Sequence, residues 1–470
     1  MVFSISKKDV IWNYIAQFFN IGAGLIVLPV VLHFLSPEEV GMNYLMLSLS
    51  SLGALADFGF SSQFGRNITY VFSGVQELKR EGVEVTISEN INYHLLSVVI
   101  ATAKSIYWKI SIGVLLTMLS FGTLYMYNVT EGFRTVNNSF IIWLLFSIST
   151  YFNMYFMYYN SLLTGAAMIM ESKQALILNK ITNITISFIL LFCGMGLISV
   201  VLANLIAPFV GRWYSYIKFY RDEIKNELDK EHPKKNEIKE TFFILWYNAK
   251  KLGINFLGAY GIQQSGTFII GMFLPLAEVA SYGLMCQLFT ILTVMGNGIF
   301  TSFIPLFNKE RVENNITKLI KDFAFSSFFF FFVFIVFGFC VILLGNPILR
   351  LIGSGTMLPI LSVSFIYFVH MLLENFHSIC ASLIVTDNKV PFVKASIISG
   401  VLIILLNVLS LKYTALGLLG VVLGQLIVQS LYNHWKWPMY VFKDLKINFI
   451  QLISIGAYEM CSYSKKFINR

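Results

Sequence analysis

Three ionisable side chains, His370, Glu374 and His377, stand at i, i+4 and i+7 in an otherwise apolar stretch, with Tyr367 one turn before them. That spacing places all of them on one face of a helix. A carboxylate between imidazoles is a group that exchanges a proton near neutral pH. Three roles fit: proton or cation coupling, passive lining of a cavity, and a hydrogen-bonded lock against a neighbouring helix. Asp57 and Arg66 form a second set, nine residues apart. At about 100° per residue they point to opposite faces of a regular helix, unless Gly59 or Gly65 bends it. Asp57 joins the coupling candidates. Arg66 either grips a diphosphate with its two-pronged guanidinium or snorkels to lipid headgroups. Lys180 and Arg212 carry the same two readings, and Lys250 with Lys251 adds candidates for a cationic entrance.

Uncharged polar stripes mark further candidates. Asn13, Gln17, Asn20 and Gly24 follow helical spacing, as do Thr290, Thr293, Asn297 and Thr301; Asn255, Gln263 and Gln264 lie on one later segment. Tyr151, Tyr155, Tyr158, Tyr159 and Asn160 form an aromatic face able to stack on sugar rings. Amides and hydroxyls suit sugar hydroxyls, and they serve equally as interhelical hydrogen bonds.

These side chains must be positioned by elements that water does not cover. Of 470 residues, 56% are hydrophobic and 13% charged, with Phe alone at 44, and the mean hydropathy is +0.70. A soluble domain carries roughly 25% charged residues, so lipid must cover much of this surface. About 20 apolar residues span the hydrocarbon, and on that criterion twelve segments are expected. They are 10–34, 41–64, 105–127, 140–163, 176–194 and 197–219, then 251–274, 279–306, 323–344, 358–385, 394–411 and 416–435. Odd-numbered connections hold only Arg134, Arg350 and Lys412, whereas the even-numbered ones and the termini hold nearly all other cations. Cytoplasmic loops carry that excess, so both termini are expected in the cytoplasm. The asymmetry absorbs the net charge of +9 and leaves a nucleic-acid partner nothing to explain. The five cysteines form no CxxC pair, and no metal-ligand spacing, P-loop or catalytic triad is present, so neither metal nor cofactor is expected.

The expected domains are an N-terminal six-helix bundle over 1–220, a charged cytoplasmic linker over 221–240, a C-terminal six-helix bundle over 241–440 and a tail over 441–470. Within the first lies an interfacial segment, 73–104, whose stretch Leu95 to Ala103 is too short to cross. The tail stretch Ile447 to Met460 is expected to be interfacial too. An internal repeat supports the halving. Phe34, Leu35, Glu39, Val40, Leu45, Met46 and Leu49 recur as Phe273, Leu274, Glu278, Val279, Leu284, Met285 and Leu288, always 239 residues on. Two even-numbered bundles share one orientation, related by a pseudo-twofold axis along the membrane normal, with a central cavity between them. The fold class is thus an all-α polytopic membrane protein of about 12 transmembrane helices.

Leu28-Pro29, the turn from Leu35 through Ser36-Pro37-Glu38-Glu39-Val40-Gly41, then Asp57-Phe58-Gly59-Phe60-Ser61 and Arg66 resemble the opening of the bacterial polysaccharide-repeat-unit flippases. That O-antigen flippase (Wzx) family lies within the multidrug/oligosaccharidyl-lipid/polysaccharide exporter superfamily. The resemblance implies a V-shaped transporter in the inner membrane, working by alternating access. Its cargo would be an undecaprenyl-diphosphate-linked oligosaccharide moved from the cytoplasmic to the periplasmic leaflet, for O-antigen or other polysaccharides. Membrane lipids, a proton or sodium coupling ion, and a polymerase and chain-length regulator are the implied partners. A multidrug/cation antiporter of the same superfamily is the alternative, although it favours acidic cavity residues. A glycan polymerase or ligase fits less well, because every expected outer loop is about a dozen residues or shorter.

Overall fold

The computed structural model describes residues 7–80, 90–387 and 389–468. Two compact units emerge, Met1–Leu257 and Gly258–Arg470. The first contains α1 (Lys7–Phe34), α2 (Pro37–Ala54), α3 (Phe60–Phe72), α4 (Tyr93–Thr117), α5 (Thr123–Val129), α6 (Ser139–Tyr155), α7 (Met157–Gly165), α8 (Ile169–Phe192), α9 (Leu197–Phe219), α10 (Asp222–Leu228) and most of α11 (Lys235–Gln263). The second continues with α12 (Ser265–Phe273), α13 (Leu276–Val312), α14 (Ile316–Leu351), α15 (Leu361–Val385), α16 (Val393–Tyr413), α17 (Leu418–Leu431), α18 (Asn433–Leu445) and α19 (Phe449–Ile468).

Among the described residues, nine helices or joined helices are long and apolar enough to cross a membrane, or ten if α2 and α3, bent by 44°, form one span. The architecture is therefore that of an all-helical, multi-pass membrane protein. All twelve expected segments are helical, but the seventh and twelfth fall outside that set. Each is broken, at Gln264 between α11 and α12 and at Tyr432 between α17 and α18, so no single helix there offers an uninterrupted apolar length. The repeat is visible in the element order: α2 opens at Pro37 and α13 at Leu276, the same 239-residue offset.

Three expected boundaries move. Leu95 to Ala103 is not a separate interfacial helix but the opening of α4, which continues through the π-helical turn Met118–Gly122 into α5. Its burial explains this: Leu96, Val99, Ile100 and Ala103 pack with Phe64, Ile68, Tyr158 and Leu162 of α3 and α7. The division between units falls at Leu257/Gly258 rather than in the charged linker. Leu245, Trp246 and Ala249 of α11 belong to that same core and carry the helix into the first unit. The tail forms α19, which packs along α14. Leu452 is fully buried, a Cβ on Gly456 would stand 2.4 Å from the Ala324 carbonyl oxygen, and Lys321 Nζ lies 3.9 Å from Glu459 Oε1.

The Leu-x-Pro-Glu-Glu turn has a local cause. Ser36 caps α2 by accepting from the Glu39 N–H (3.2 Å), and Glu39 Oε2 accepts in return from the Ser36 N–H (3.0 Å); this is a capping box with Pro37 at the first helical position. Glu39 Oε1 also accepts from the Leu197 N–H at 3.0 Å, serving the first turn of α9. One carboxylate thus satisfies amides on two helices. Glu39→Ala is expected to cost about 1–3 kcal/mol through the two orphaned amides. Thermal unfolding in detergent should show a clear fall in Tm, with Glu39→Gln intermediate.

Candidate functional site

In the first unit a cavity of about 420 Å³ opens between α6, α7, α8 and α9. Its walls follow one helical face on each element. On α8 these are Ser172, Asn179, Lys180 and Asn183; on α9, Asn204, Pro208, Gly211, Arg212 and Ser215. Asn153 of α6, Phe156 at the α6–α7 junction, and Tyr159 and Asn160 of α7 add to the lining, with apolar side chains such as Met157 and Leu163 between them. Pro208 cannot donate to the carbonyl four residues back. Asn153 Nδ2 donates to that Asn204 carbonyl oxygen at 3.3 Å, and Asn183 Nδ2 donates to Asn204 Oδ1 at 2.9 Å. Ser172 donates to Asn160 Oδ1 at 2.7 Å. The Arg212 guanidinium lies over the rings of Phe156 and Tyr159, 5.1 and 5.7 Å from their centroids, a cation–π arrangement that holds its charge at the wall. Two cations and five Asn side chains face this space, and no carboxylate does among the described lining residues. In charge and hydrogen-bonding capacity such a wall suits an anion bearing hydroxyl groups.

In the second unit His370, Glu374 and His377 share a face of α15, as their spacing predicts, and a fourth group joins them. His434 Nε2 from α18 approaches Glu374 Oε2 at 3.4 Å, while His377 Nδ1 lies 3.5 Å from the same oxygen. His370 is 3% exposed, Glu374 6% and His434 8%, so the group is enclosed by protein. The break at Tyr432 starts α18 where His434 can turn inward. Asn433 fixes it by donating to Ser399 Oγ (2.9 Å) and Gln429 Oε1 (2.6 Å) and accepting from Trp437 Nε1 (3.0 Å).

Asp57 occupies a different setting. It ends a 3-10 turn, after which Phe58 and Gly59 take left-handed conformations (φ 47° and 81°) and α3 begins. Tyr107 donates its hydroxyl to Asp57 Oδ1 at 2.5 Å. The carboxylate accepts from the Ser61 N–H (3.3 and 3.4 Å) and its hydroxyl (3.1 Å). Placed among coupling candidates by sequence, Asp57 here anchors the start of α3, where a negative charge complements the helix dipole. Arg66 is exposed on α3 and donates to Gln63 Oε1, and no ion pair links it to Asp57 among the described residues.

The other expected residues scatter. Gln17 is exposed on α1; Gln263 and Gln264 are exposed at the α11–α12 break; Lys250 is exposed, its Nζ 5.5 Å from the Tyr247 ring centroid. Asn297 turns to α15, donating to Asn375 Oδ1 at 3.5 Å, while Asn375 donates to Thr293 at 3.0 Å. Those two polar residues of α13 pair with a helix. The side chains of Asn13, Asn20 and Lys251 lie outside the described residues.

Residues 6–311, from the start of α1 to the end of α13, match the family described as polysaccharide biosynthesis protein. The chain belongs to that family. No curated protein matches it. Solved structures do. A multidrug resistance MATE family transporter of the MOP superfamily, in an inward-facing conformation, superposes with a TM-score of 0.64 at 13% identity, covering 92% of this chain and 95% of its own. Lipid II flippase MurJ, inward closed, gives 0.63 at 14% identity, covering 99% and 93%. The Vibrio cholerae MATE transporter VcmN gives 0.57 at 13%, covering 94% and 97%. At such identities the likeness shows the fold alone.

For this polysaccharide biosynthesis protein, sequence reasoning missed three things. Lys180 and Arg212 stand out individually, but the stripes joining them to Asn179, Asn183 and Asn204 at helical spacing go unused. His434 is missed outright, being sixty residues from Glu374. The sequence shows no metal-ligand spacing, whereas the structure brings His370, Glu374 and His434 together across it, with potential ligand atoms all within 4.8 Å of one another.

Proposed function

We propose that this family member translocates an undecaprenyl-diphosphate-linked oligosaccharide repeat unit from the cytoplasmic to the periplasmic leaflet of a bacterial inner membrane. The cavity of the first unit carries the reading: two cations, five asparagines and two aromatic rings, without a carboxylate. A diphosphate is the anion that Arg212 and Lys180 suit, with guanidinium and phosphate oxygens pairing through two parallel hydrogen bonds. Asparagine amides and Tyr159 suit the adjoining sugars, and the prenyl chain remains in lipid. A cationic drug would meet repulsion at the same wall, which disfavours the multidrug antiporter reading.

Orientation follows from the distribution of Lys and Arg. It puts both termini and the α7–α8 turn in the cytoplasm. Arg212 then sits about 10 Å, and Lys180 about 17 Å, inward from the cytoplasmic helix ends at 1.5 Å per residue. That path leads a headgroup from the inner leaflet toward mid-membrane. A glycan polymerase and chain-length regulator would act on the exported unit.

The test is loss of the gene in its host. Surface polysaccharide should disappear while lipid-linked single units accumulate on the inner leaflet. Export of single units with only chain length lost would point to a polymerase and sink the flippase reading.

A further inference from the structure

We propose that His370, Glu374 and His434 bind one divalent transition-metal ion of the zinc class, bracing α15 against α18. The site belongs to the second unit, and the cavity lined by Lys180 and Arg212 belongs to the first.

Two imidazoles and one carboxylate are a donor set that zinc takes readily, with a fourth position left for water or a further group. Calcium and magnesium instead require a shell of about six or more oxygens, which this cluster lacks. The spacing is nearly right without rearrangement. A tetrahedral ion bonded at about 2.0 Å holds its ligands about 3.3 Å apart. Glu374 Oε2 and His434 Nε2 are 3.4 Å apart, and all three donors fall within 4.8 Å of one another. Small side-chain rotations close the rest.

A second observation points into the site. His370 Nδ1 is buried with no hydrogen-bond partner, on a residue 3% exposed. Buried polar atoms are normally paired, and a metal bond would occupy this one. The outer shell is already built. His434 Nδ1 lies 3.0 Å from Ser430 Oγ, which fixes the ring with Nε2 toward Glu374, as second-shell partners of metal ligands do. His377, with Nδ1 3.5 Å from Glu374 Oε2, stands beside the triad as a supporting group. The rings of His370 and His434, tilted by 44° with 5.7 Å between centroids, flank the carboxylate from two helices. The ion would therefore join elements that are close in space and distant in sequence.

The full-length protein, carrying an affinity tag without histidine and stripped with a chelator in detergent, should be titrated with zinc chloride alone. The expected result is about one zinc per chain after gel filtration, a raised Tm, and X-ray absorption showing nitrogen and oxygen ligands at about 2.0–2.1 Å with no sulfur. His434→Ala and Glu374→Gln should each weaken zinc binding by more than about 100-fold, whereas His94→Ala, in the other unit, leaves it unchanged. If a variant fails to fold, the stoichiometry and ligand shell of the wild-type protein decide the matter. Absence of stoichiometric zinc, zinc uptake untouched by His434→Ala, or stabilisation by sodium chloride and not by zinc would each overturn the proposal.

Discussion

Arg212→Ala is expected to slow translocation of a lipid-linked glycan about 10- to 100-fold while leaving the folded protein intact. The side chain is exposed at the cavity wall, held over Phe156 and Tyr159, and no other helix depends on it for an ion pair among the described residues. Its loss therefore removes little packing. A charge-assisted hydrogen bond contributes about 1.5–3 kcal/mol, and a factor of ten corresponds to about 1.4 kcal/mol, which gives the stated range. Arg212→Lys should fall between, keeping the charge but losing the two-pronged geometry. Combining Arg212→Ala with Lys180→Ala should deepen the loss, since no third cation lines the cavity among the described residues. The measurement is the rate at which a polyprenyl-diphosphate glycan in proteoliposomes becomes accessible to an impermeant glycosidase. An unchanged rate in the double variant would remove this cavity from the transport path.

Gly165→Leu is expected to abolish folded protein, and Gly165→Ala to destabilise it by about 1–3 kcal/mol, the usual cost of forcing atoms into a packed contact. A Cβ at this position would stand 2.6 Å from the Gly65 carbonyl oxygen and 2.7 Å from Ile68 Cβ. The reason is a close crossing of α3 and α7 built from matching small residues, Ser61 and Gly65 against Ser161 and Gly165. Ser161 donates to the Ser61 carbonyl oxygen at 2.9 Å, and Thr69 donates to the Gly165 carbonyl oxygen at 3.0 Å. In membranes, small residues four apart let backbones approach this way. Gel filtration and thermal unfolding in detergent report the result. Wild-type yield and Tm for Gly165→Leu would show that the helices can separate without loss. The same variant at Gly113, where a Cβ meets nothing within 4 Å, is the contrasting control.

Both predictions depend on residues that the sequence displays openly, yet their importance is legible to different degrees. The two Ser-x-x-x-Gly pairs are a readable signal, but nothing local says that they face each other, because α3 and α7 are separated by nearly a hundred residues. Ser36-Pro37-Glu38-Glu39 reads as a helix start from sequence. Its second duty at Leu197 belongs to tertiary structure. Asp57 is the reverse case. An acidic residue in an apolar segment draws a functional reading, whereas the bend at Phe58 and Gly59 and the Tyr107 hydroxyl make it an anchor for α3.

The sequence alone determined the medium, the helical class, the doubling at a 239-residue offset and the family, because these rest on composition and local periodicity summed over many residues. It also placed His370, Glu374 and His377 on one helix face, since helical geometry is local. Tertiary structure decided which polar faces meet. Asn297 pairs with α15, while Asn183, Asn204 and Arg212 converge on a cavity. His434 completes a metal-capable triad across sixty residues of chain. The physical reason is that buried polar groups are normally paired, and a single helix shows which groups call for a partner without showing where it stands.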